Sequence, residues 1–404
     1  MKVINVITPH FTPEITAAAH RLDAVVSSLS TEYKVNVFTL TERGRKAKSS
    51  EAQVSDNVTV YSVNLPRYTK SLFFIRALFE FYYSVKLSRK ASRTPADLTF
   101  VTTPYMFLLP AAIIFGGKGK KIADVRDLVW CYLPQKNAFQ SWIRRSFESL
   151  VCKYIRKYDH ITVTNDAERN WLLKNAAIDE SKITILSNGI SSGRFERLNS
   201  LKYHCKTSPF VITYVGNIGN GQDLQPLIDA VKPMKDVILN IIGDGIELKK
   251  FVNLVRAENL THIHLHGKLK WSRVLPFYQS SSILFARLGE NYQSAIPSKL
   301  FEYLSTGLPL VFHGKGTAKN LLDKFENTFI LENEKSENLR DVLEYLRNSP
   351  LSLSESNRFQ IESNYLRENI NNGLFPILDG LIGIDGFESV DKKGIPLLLQ
   401  EDVI

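Results

Sequence analysis

The chain has 404 residues, 44% of them hydrophobic and 23% charged, which suits two globular domains of ordinary size and excludes a disordered polypeptide. Its 51 basic residues outnumber 41 acidic ones, and its three cysteines, Cys131, Cys152 and Cys205, are odd in number and scattered, which excludes a disulfide framework and a thiolate metal site. No uncharged apolar run approaches the roughly 18 residues a membrane-spanning helix needs, and the opening residues lack the apolar core and cleavage site of a signal peptide, so a cytoplasmic protein is expected.

Residues 3–8 read as a strand, residues 16–29 as a helix and residues 34–40 as a second strand, the alternation of a parallel sheet covered by helices. The loop after the first strand leaves at the carboxyl edge, where open parallel sheets bind ligands. His10, Glu14 and Arg21 are therefore candidates for binding an acceptor, although each also suits a structural role. Further strands are expected at residues 58–63, 98–101, 121–125, 160–164 and 183–186. The segment 68–93 breaks this rhythm by mixing Phe73, Phe74, Phe79, Phe81, Tyr82 and Tyr83 with Lys70, Arg76, Lys86, Arg89, Lys90 and Arg93. Such a helix suits either a core position with a charged outer end or an interface with anionic lipid. Asp127 follows the strand at 121–125, where a carboxylate is placed to orient or deprotonate an acceptor hydroxyl or to cap the next segment.

After a polar stretch the alternation resumes, with strands expected at residues 211–215, 237–242, 262–266, 283–286 and 309–312. The expected organisation is an α/β chain of two Rossmann-like domains facing each other across a cleft, residues 1–195 binding the acceptor and 196–375 the nucleotide, followed by a tail at 376–404. Charge divides unevenly between the halves: the first 200 residues hold 29 basic and 17 acidic side chains, the remainder 22 and 24. A basic first half points to an anionic surface or acceptor.

Two glycine-rich turns follow strands of the second domain: Gly216-Asn217-Ile218-Gly219-Asn220-Gly221, and Gly243-Asp244-Gly245. Glycines there let backbone N–H groups approach a phosphate, although neither turn is a P-loop or a complete dinucleotide fingerprint. Arg287 ends the strand at 283–286 and is a candidate second cation for a diphosphate or a partner in a salt bridge. The most informative stretch is Pro297-Ser298-Lys299-Leu300-Phe301-Glu302-Tyr303, with Gly307 and Pro309 beyond it. Pro297 and Ser298 suit a helix start and Gly307 its end, which sets Lys299 in the first turn with Glu302 three residues on along the same face. A cation beside free N–H groups suits a diphosphate, and a carboxylate can accept from two vicinal ribose hydroxyls. An ordinary amphipathic surface helix reads the same way. The sequence has no Asp-x-Asp pair, no His/Cys ligand spacing and no Walker loop, so no metal site is expected.

Together these segments resemble a family 4 retaining glycosyltransferase of the GT-B fold over about residues 1–375, in Tyr214-Val215-Gly216-Asn217-Ile218-Gly219, Ile242-Gly243-Asp244-Gly245, Ile296 to Tyr303, Gly307-Leu308-Pro309, Ser187-Asn188-Gly189-Ile190 and the loop from Pro13 to Arg21. The branch it is most similar to adds N-acetyl-L-fucosamine in bacterial O-antigen and capsule synthesis. The resemblance implies that Glu302 binds the nucleotide ribose and that Lys299 and the Gly216 turn lie by the diphosphate. It also departs from the family: Ser294 stands where a glutamate is common, and Asn217 and Gly221 stand where Arg and Lys are.

The resulting expectation is a peripheral enzyme on the inner face of the plasma membrane. It is expected to take a nucleoside-diphosphate sugar, UDP-linked, as donor substrate, to need no cofactor, and to use a polyprenyl-diphosphate-linked oligosaccharide as acceptor. An anionic membrane surface is an expected partner and nucleic acid is not. Asp127 and Lys299 are the expected catalytic residues, and Gly216, Asn217, Gly219, Gly243, Asp244, Arg287, Pro297, Ser298 and Glu302 the donor contacts. The alternatives are a GT-B epimerase of nucleotide sugars, which would need no lipid, and a non-enzymatic membrane scaffold, which would leave the Lys299/Glu302 pair idle.

Overall fold

The computed structural model describes residues 1–14, 16–42, 51–66, 73–133, 135–203, 209–332 and 336–383. The first lobe holds strands β1 (Val3–Ile7), β2 (Lys34–Glu42), β3 (Glu51–Ser55), β4 (Val58–Leu65), β5 (Leu98–Thr102), β6 (Lys120–Val125), β7 (His160–Val163) and β8 (Ile183–Ile185). They form one sheet in the order β3-β4-β2-β1-β5-β6-β7-β8, parallel except where β3 pairs with β4. The second lobe holds β9 (Phe210–Val215), β10 (Val237–Ile242), β11 (Ile263–Gly267), β12 (Ile283–Arg287), β13 (Leu310–His313) and β14 (Thr328–Leu331), in the all-parallel order β11-β10-β9-β12-β13-β14. Both lobes are the doubly wound α/β sheets expected.

The twelve expected strands are all present, with ends displaced by no more than two residues. Strands β5, β9 and β12 are buried along their whole length because helices cover both faces, which is why they read as continuous apolar runs. Two strands were not anticipated. Every residue of β3 is exposed on an antiparallel edge, so no core-facing pattern marks it, and β14 is only four residues long and partly buried. The winding reverses at β1, between β2 and β5, and at β9, between β10 and β12. The loops leaving these strands therefore open at the switch points, where a ligand crevice forms.

The chain crosses between lobes twice. Ile190 pairs with Leu366 as an isolated bridge, and helix Phe375–Ile382 returns to the first lobe, where Leu374 and Leu378 join the core of Ile4, Val6, Leu22 and Val25. Part of the expected tail is thus a helix packed on the first lobe through Leu378; residues 384–404 lie outside the described residues.

Candidate functional site between the lobes

Helix Lys299–Thr306 begins behind Pro297 and Ser298 and stops at Gly307, whose φ of +72° is the left-handed conformation a helix-ending glycine supplies. All of its residues after Lys299 are buried, so Glu302, only 6% exposed, needs partners. It has four. Lys299 Nζ donates to Oε2 over 2.7 Å, the Tyr278 hydroxyl over 3.1 Å and Trp271 Nε1 over 3.3 Å, while Arg194 donates to Oε1 over 3.0 Å. Burial by itself would raise the Glu302 carboxyl, but the charges of Lys299 and Arg194, with hydrogen bonds from Lys299 and Tyr278, hold it below the usual range. The Arg194 guanidinium also stacks on Trp271 at 5.1 Å.

The helix is fastened to the glycine-rich turn. Tyr303 Oη accepts from the Val215 amide over 2.7 Å and donates to the Val215 carbonyl over 3.0 Å, at the residue before Gly216. The two glycine turns pack on each other. Ile218 donates to the Asp244 carbonyl over 2.9 Å, and a side chain on Gly243 or Gly245 would run into the carbonyl of Gly216 or Ile218. Asn217 Nδ2 donates to Gln222 over 2.9 Å, and Asp244 Oδ1 accepts from Gly245 N over 2.8 Å. Gly219 closes the turn by accepting from the Gln222 and Asp223 amides.

The segment just before the Lys299 helix is held by the first lobe. Asn165 Nδ2 donates to the Ser294 carbonyl over 3.0 Å, Asn188 Nδ2 to the Ile296 carbonyl over 3.4 Å, and the Tyr132 hydroxyl lies 3.2 Å from Ser294 Oγ with its ring 5.0 Å from Tyr292. The mouth of this helix therefore sits at the interlobe junction. The Tyr132 hydroxyl also approaches Asp127 Oδ1 at 3.4 Å; Asp127 is half-buried, and desolvation raises its carboxyl above the usual range against the pull of Arg126.

Several residues here were not singled out from the sequence. Glu168 is fully buried and accepts from Thr164 N over 2.7 Å and Thr164 Oγ1 over 2.9 Å, leaving Oε1 unbonded. Burial lifts its carboxyl to about 8, and the Asp127 charge adds to the rise. The signal available for it was local, since Asn165 capping the Glu168 amide completes a capping pattern that reads as purely structural. His20 has its ring pushed down to about 4 by burial, then by Arg194 and Arg367. Its Nε2 lies 3.3 Å from Arg194, which can only donate, so this nitrogen is the acceptor of a neutral ring. Arg126 and Arg367 are each pushed down to about 10 by burial and by other guanidinium groups. With Glu168 protonated at neutral pH, Arg21, Arg126, Arg194, Arg367 and Lys299 exceed Asp124, Asp127 and Glu302, and the excess positive charge suits a polyanionic ligand.

His10 and Glu14 pair at 2.9 Å in the loop after β1, both partly exposed, with the His10 ring edge-on to Tyr105 at 6.0 Å. Arg21 is elsewhere. It is 5% exposed and donates to the carbonyls of Ser187 and Leu186, both over 2.9 Å, with Asn188 at 3.4 Å and Asp124 at 3.5 Å. Four of its five N–H groups are thus engaged by the chain, which makes it a clamp on the first lobe. Arg287 is also buried, donating to Asp223 over 3.2 Å and lying 3.0 Å from His313 Nδ1, so its charge is compensated beneath the glycine turn; the cation that joins Lys299 on Glu302 is Arg194. Gly189-Ile190-Ser191-Ser192-Gly193 spells the string of a nucleophile elbow, but Ser191 keeps an ordinary φ of −71° at the start of helix Ser192–Asn199 and does not follow directly on a strand.

Residues 199–365 match the family model of glycosyl transferases group 1, and residues 19–194 match that of glycosyltransferase family 4. The chain is similar to the solved sucrose-phosphate synthase from Thermosynechococcus elongatus, with a TM-score of 0.71 at 12% identity over 94% of this chain and 99% of that one. It is similar to the lipopolysaccharide outer core galactosyltransferase WaaB, at 0.60 and 14% over 94% and 100%. The Anabaena Alr3699/HepE protein in complex with UDP and glucose gives 0.64 and 13% over 94% and 100%. At these identities the likeness shows the fold, and no curated protein matches the chain in sequence. The two glycosyltransferase family models thus take the two lobes in turn, on a GT-B architecture these structures share almost from end to end, and the chain is a glycosyltransferase.

Proposed function

We propose that this enzyme moves a sugar from a UDP-linked donor, with retention, to a hydroxyl of a polyprenyl-diphosphate-linked oligosaccharide at the cytoplasmic face of the plasma membrane, in bacterial surface polysaccharide synthesis of the O-antigen or capsule kind. The carrying observation is the Lys299/Glu302 pair at the interlobe junction beside the glycine turns, with Glu302 buried and Lys299 still partly exposed to the opening. In the free protein Glu302 neutralises both Lys299 and Arg194. When a nucleotide enters, the carboxylate accepts from the ribose diol, and the two cations turn to the diphosphate. Charge developing on the leaving phosphate is then met by Lys299, Arg194 and backbone N–H groups already in place. Asp127, held by Tyr132 across from Ser294, orients the acceptor hydroxyl. The UDP complex of the Anabaena structure supports the choice of nucleotide.

The test is a thermal-shift screen of nucleoside-diphosphate sugars. A ligand at about 100 times its dissociation constant adds roughly 2.7 kcal/mol of stability. The stabilising donor is then incubated with and without lipid-linked acceptor. Lipid-dependent release of UDP supports transfer; a new nucleotide sugar formed from the donor alone would identify an epimerase instead.

A further inference from the structure

On the first lobe, apart from the cleft, lies an open groove of about 740 Å³ lined by Ser62, Val63 and Asn64 of β4, by helix Phe73–Ala91 and Arg93 just beyond it, and by Phe115. No carboxylate is among its lining residues, whereas Lys86, Arg89, Lys90 and Arg93 all are. Three of these charges are held in place over rings or by the backbone: Lys86 Nζ is 5.7 Å from the ring centres of Tyr82 and Tyr83, Arg89 is 4.9 Å from that of Phe115, and Lys90, which also lies within the field of Glu51, donates to the Ser62 carbonyl over 3.2 Å. From this groove an exposed stripe continues along the same helix with a different character. Ile75, Leu78 and Tyr82 recur at three- and four-residue spacing, and Leu78 and Tyr82 are 68% and 55% exposed. Apart from Arg76, which pairs with Glu80, the outward face is therefore apolar over its first half and cationic over its second. The core does not explain it, since Tyr83 and Leu87 already supply the buried side.

The apolar half extends onto the neighbouring helices. Phe81 packs on Phe107 and Phe107 on Phe147, with ring centres 5.4 and 5.2 Å apart, which fastens helix Phe73–Ala91 to helix Ala138–Ile155. That helix carries Phe139 and Trp142, 60% and 64% exposed and stacked at 6.2 Å. Large rings and aliphatic side chains standing in water beside clustered cations match the two layers of a bilayer interface, apolar depth under an anionic headgroup plane. Nucleic acid would satisfy the cations and leave the apolar residues unburied.

We infer that this face docks the enzyme on anionic phospholipid, with lipid phosphate seated among Lys86, Arg89 and Arg93 and the side chains of Leu78, Tyr82 and Trp142 at acyl-chain level. The inference rests on the proposed function for its membrane partner and on this groove for its site. It is read by lipid binding, without any sugar transfer, so either can fail alone.

The full chain is sedimented with vesicles of phosphatidylcholine alone and of phosphatidylcholine containing phosphatidylglycerol, at low and high salt. Preferential, salt-sensitive binding to the anionic vesicles is expected. The triple variant Lys86→Ser/Arg89→Ser/Arg93→Ser is expected to weaken partitioning on the order of a hundredfold, taking each basic side chain at the surface as roughly fivefold. Leu78→Ser/Tyr82→Ser, with every charge kept, should weaken it several-fold, while Lys235→Ser/Lys249→Ser/Arg256→Ser on the second lobe, an equal charge loss, should leave it nearly unchanged. Melting temperatures of all variants are compared with that of the parent. Equal binding to both vesicle types, equal losses in the groove and second-lobe triples, or a parent that prefers a duplex oligonucleotide to anionic vesicles would each overturn the proposal.

Discussion

Lys299 Nζ sits 2.7 Å from Glu302 Oε2, and that one carboxylate also receives Arg194, Trp271 and Tyr278. The charges proposed for a diphosphate and the acceptor proposed for a ribose thus satisfy each other in the free protein. Binding a nucleotide then exchanges ion pairs for ligand contacts with little new charge burial.

Replacing Lys299 by alanine removes the cation nearest the proposed leaving group. Steady-state transfer should fall by roughly 10²–10³-fold, the usual cost of losing one preorganised stabilising donor. Because Arg194 remains on Glu302, the melting temperature should stay within a few degrees of the parent. Turnover equal to the parent's would remove Lys299 from the chemistry.

Glu302→Gln keeps the shape but leaves Lys299 and Arg194 without their carboxylate. Loss of a charge-assisted hydrogen bond to the ribose is worth about 1.5–3 kcal/mol, so donor affinity measured by calorimetry should weaken by roughly 10–150-fold. The protein itself should melt earlier.

Tyr132→Phe deletes the hydroxyl that lies between Asp127 and Ser294. One neutral hydrogen bond across the cleft is worth about 1 kcal/mol. Faster hydrogen exchange in the segment around Ser294 is expected, together with a raised KM for the acceptor.

The half-buried His20 and the buried Glu168 give opposite pH dependences. His20 titrates near 4 when folded but near 6.5 when unfolded, so the unfolded chain binds the extra proton between those values; its contribution is complete above pH 6.5 and is lost as pH falls toward 4. Glu168 titrates at about 8 when folded, so the native state holds the extra proton, and this contribution is complete below about pH 4 and lost as pH rises toward 8. Glu168→Gln, which keeps a neutral hydrogen-bonding group, should therefore raise the melting temperature at pH 8 relative to the parent and leave it little changed at pH 4. Lower stability of this variant at pH 8 would contradict a buried, protonated Glu168.

Leu378, 1% exposed, reaches the first-lobe core from the last described helix. Leu378→Ala should cost about 2–5 kcal/mol by urea unfolding. Truncation before Leu374 should destabilise the first lobe specifically, because it removes two core side chains at once.

The sequence by itself determined the paired α/β sheets and the start and stop of the Lys299 helix, because both are written locally. Buried parallel strands are continuous apolar runs, and Pro297, Ser298 and Gly307 punctuate a helix through their own backbone preferences. It also placed Glu302 beside Lys299, since three residues on a helix fix that neighbourhood. Tertiary structure alone decided what surrounds them. Arg194, Trp271 and Tyr278 converge on Glu302 from distant positions, and Arg21 and Arg287, for which the sequence left a ligand contact and a structural role both open, engage partners within their own lobes. The edge strand β3 and the helix at Phe375 escaped for the same reason, the first having no buried face to imprint a period and the second gaining its partners only when the chain folds back onto the opposite lobe. Local spacing encodes which side chains share an element; whether a charge is available to a ligand depends on partners that only packing brings within reach.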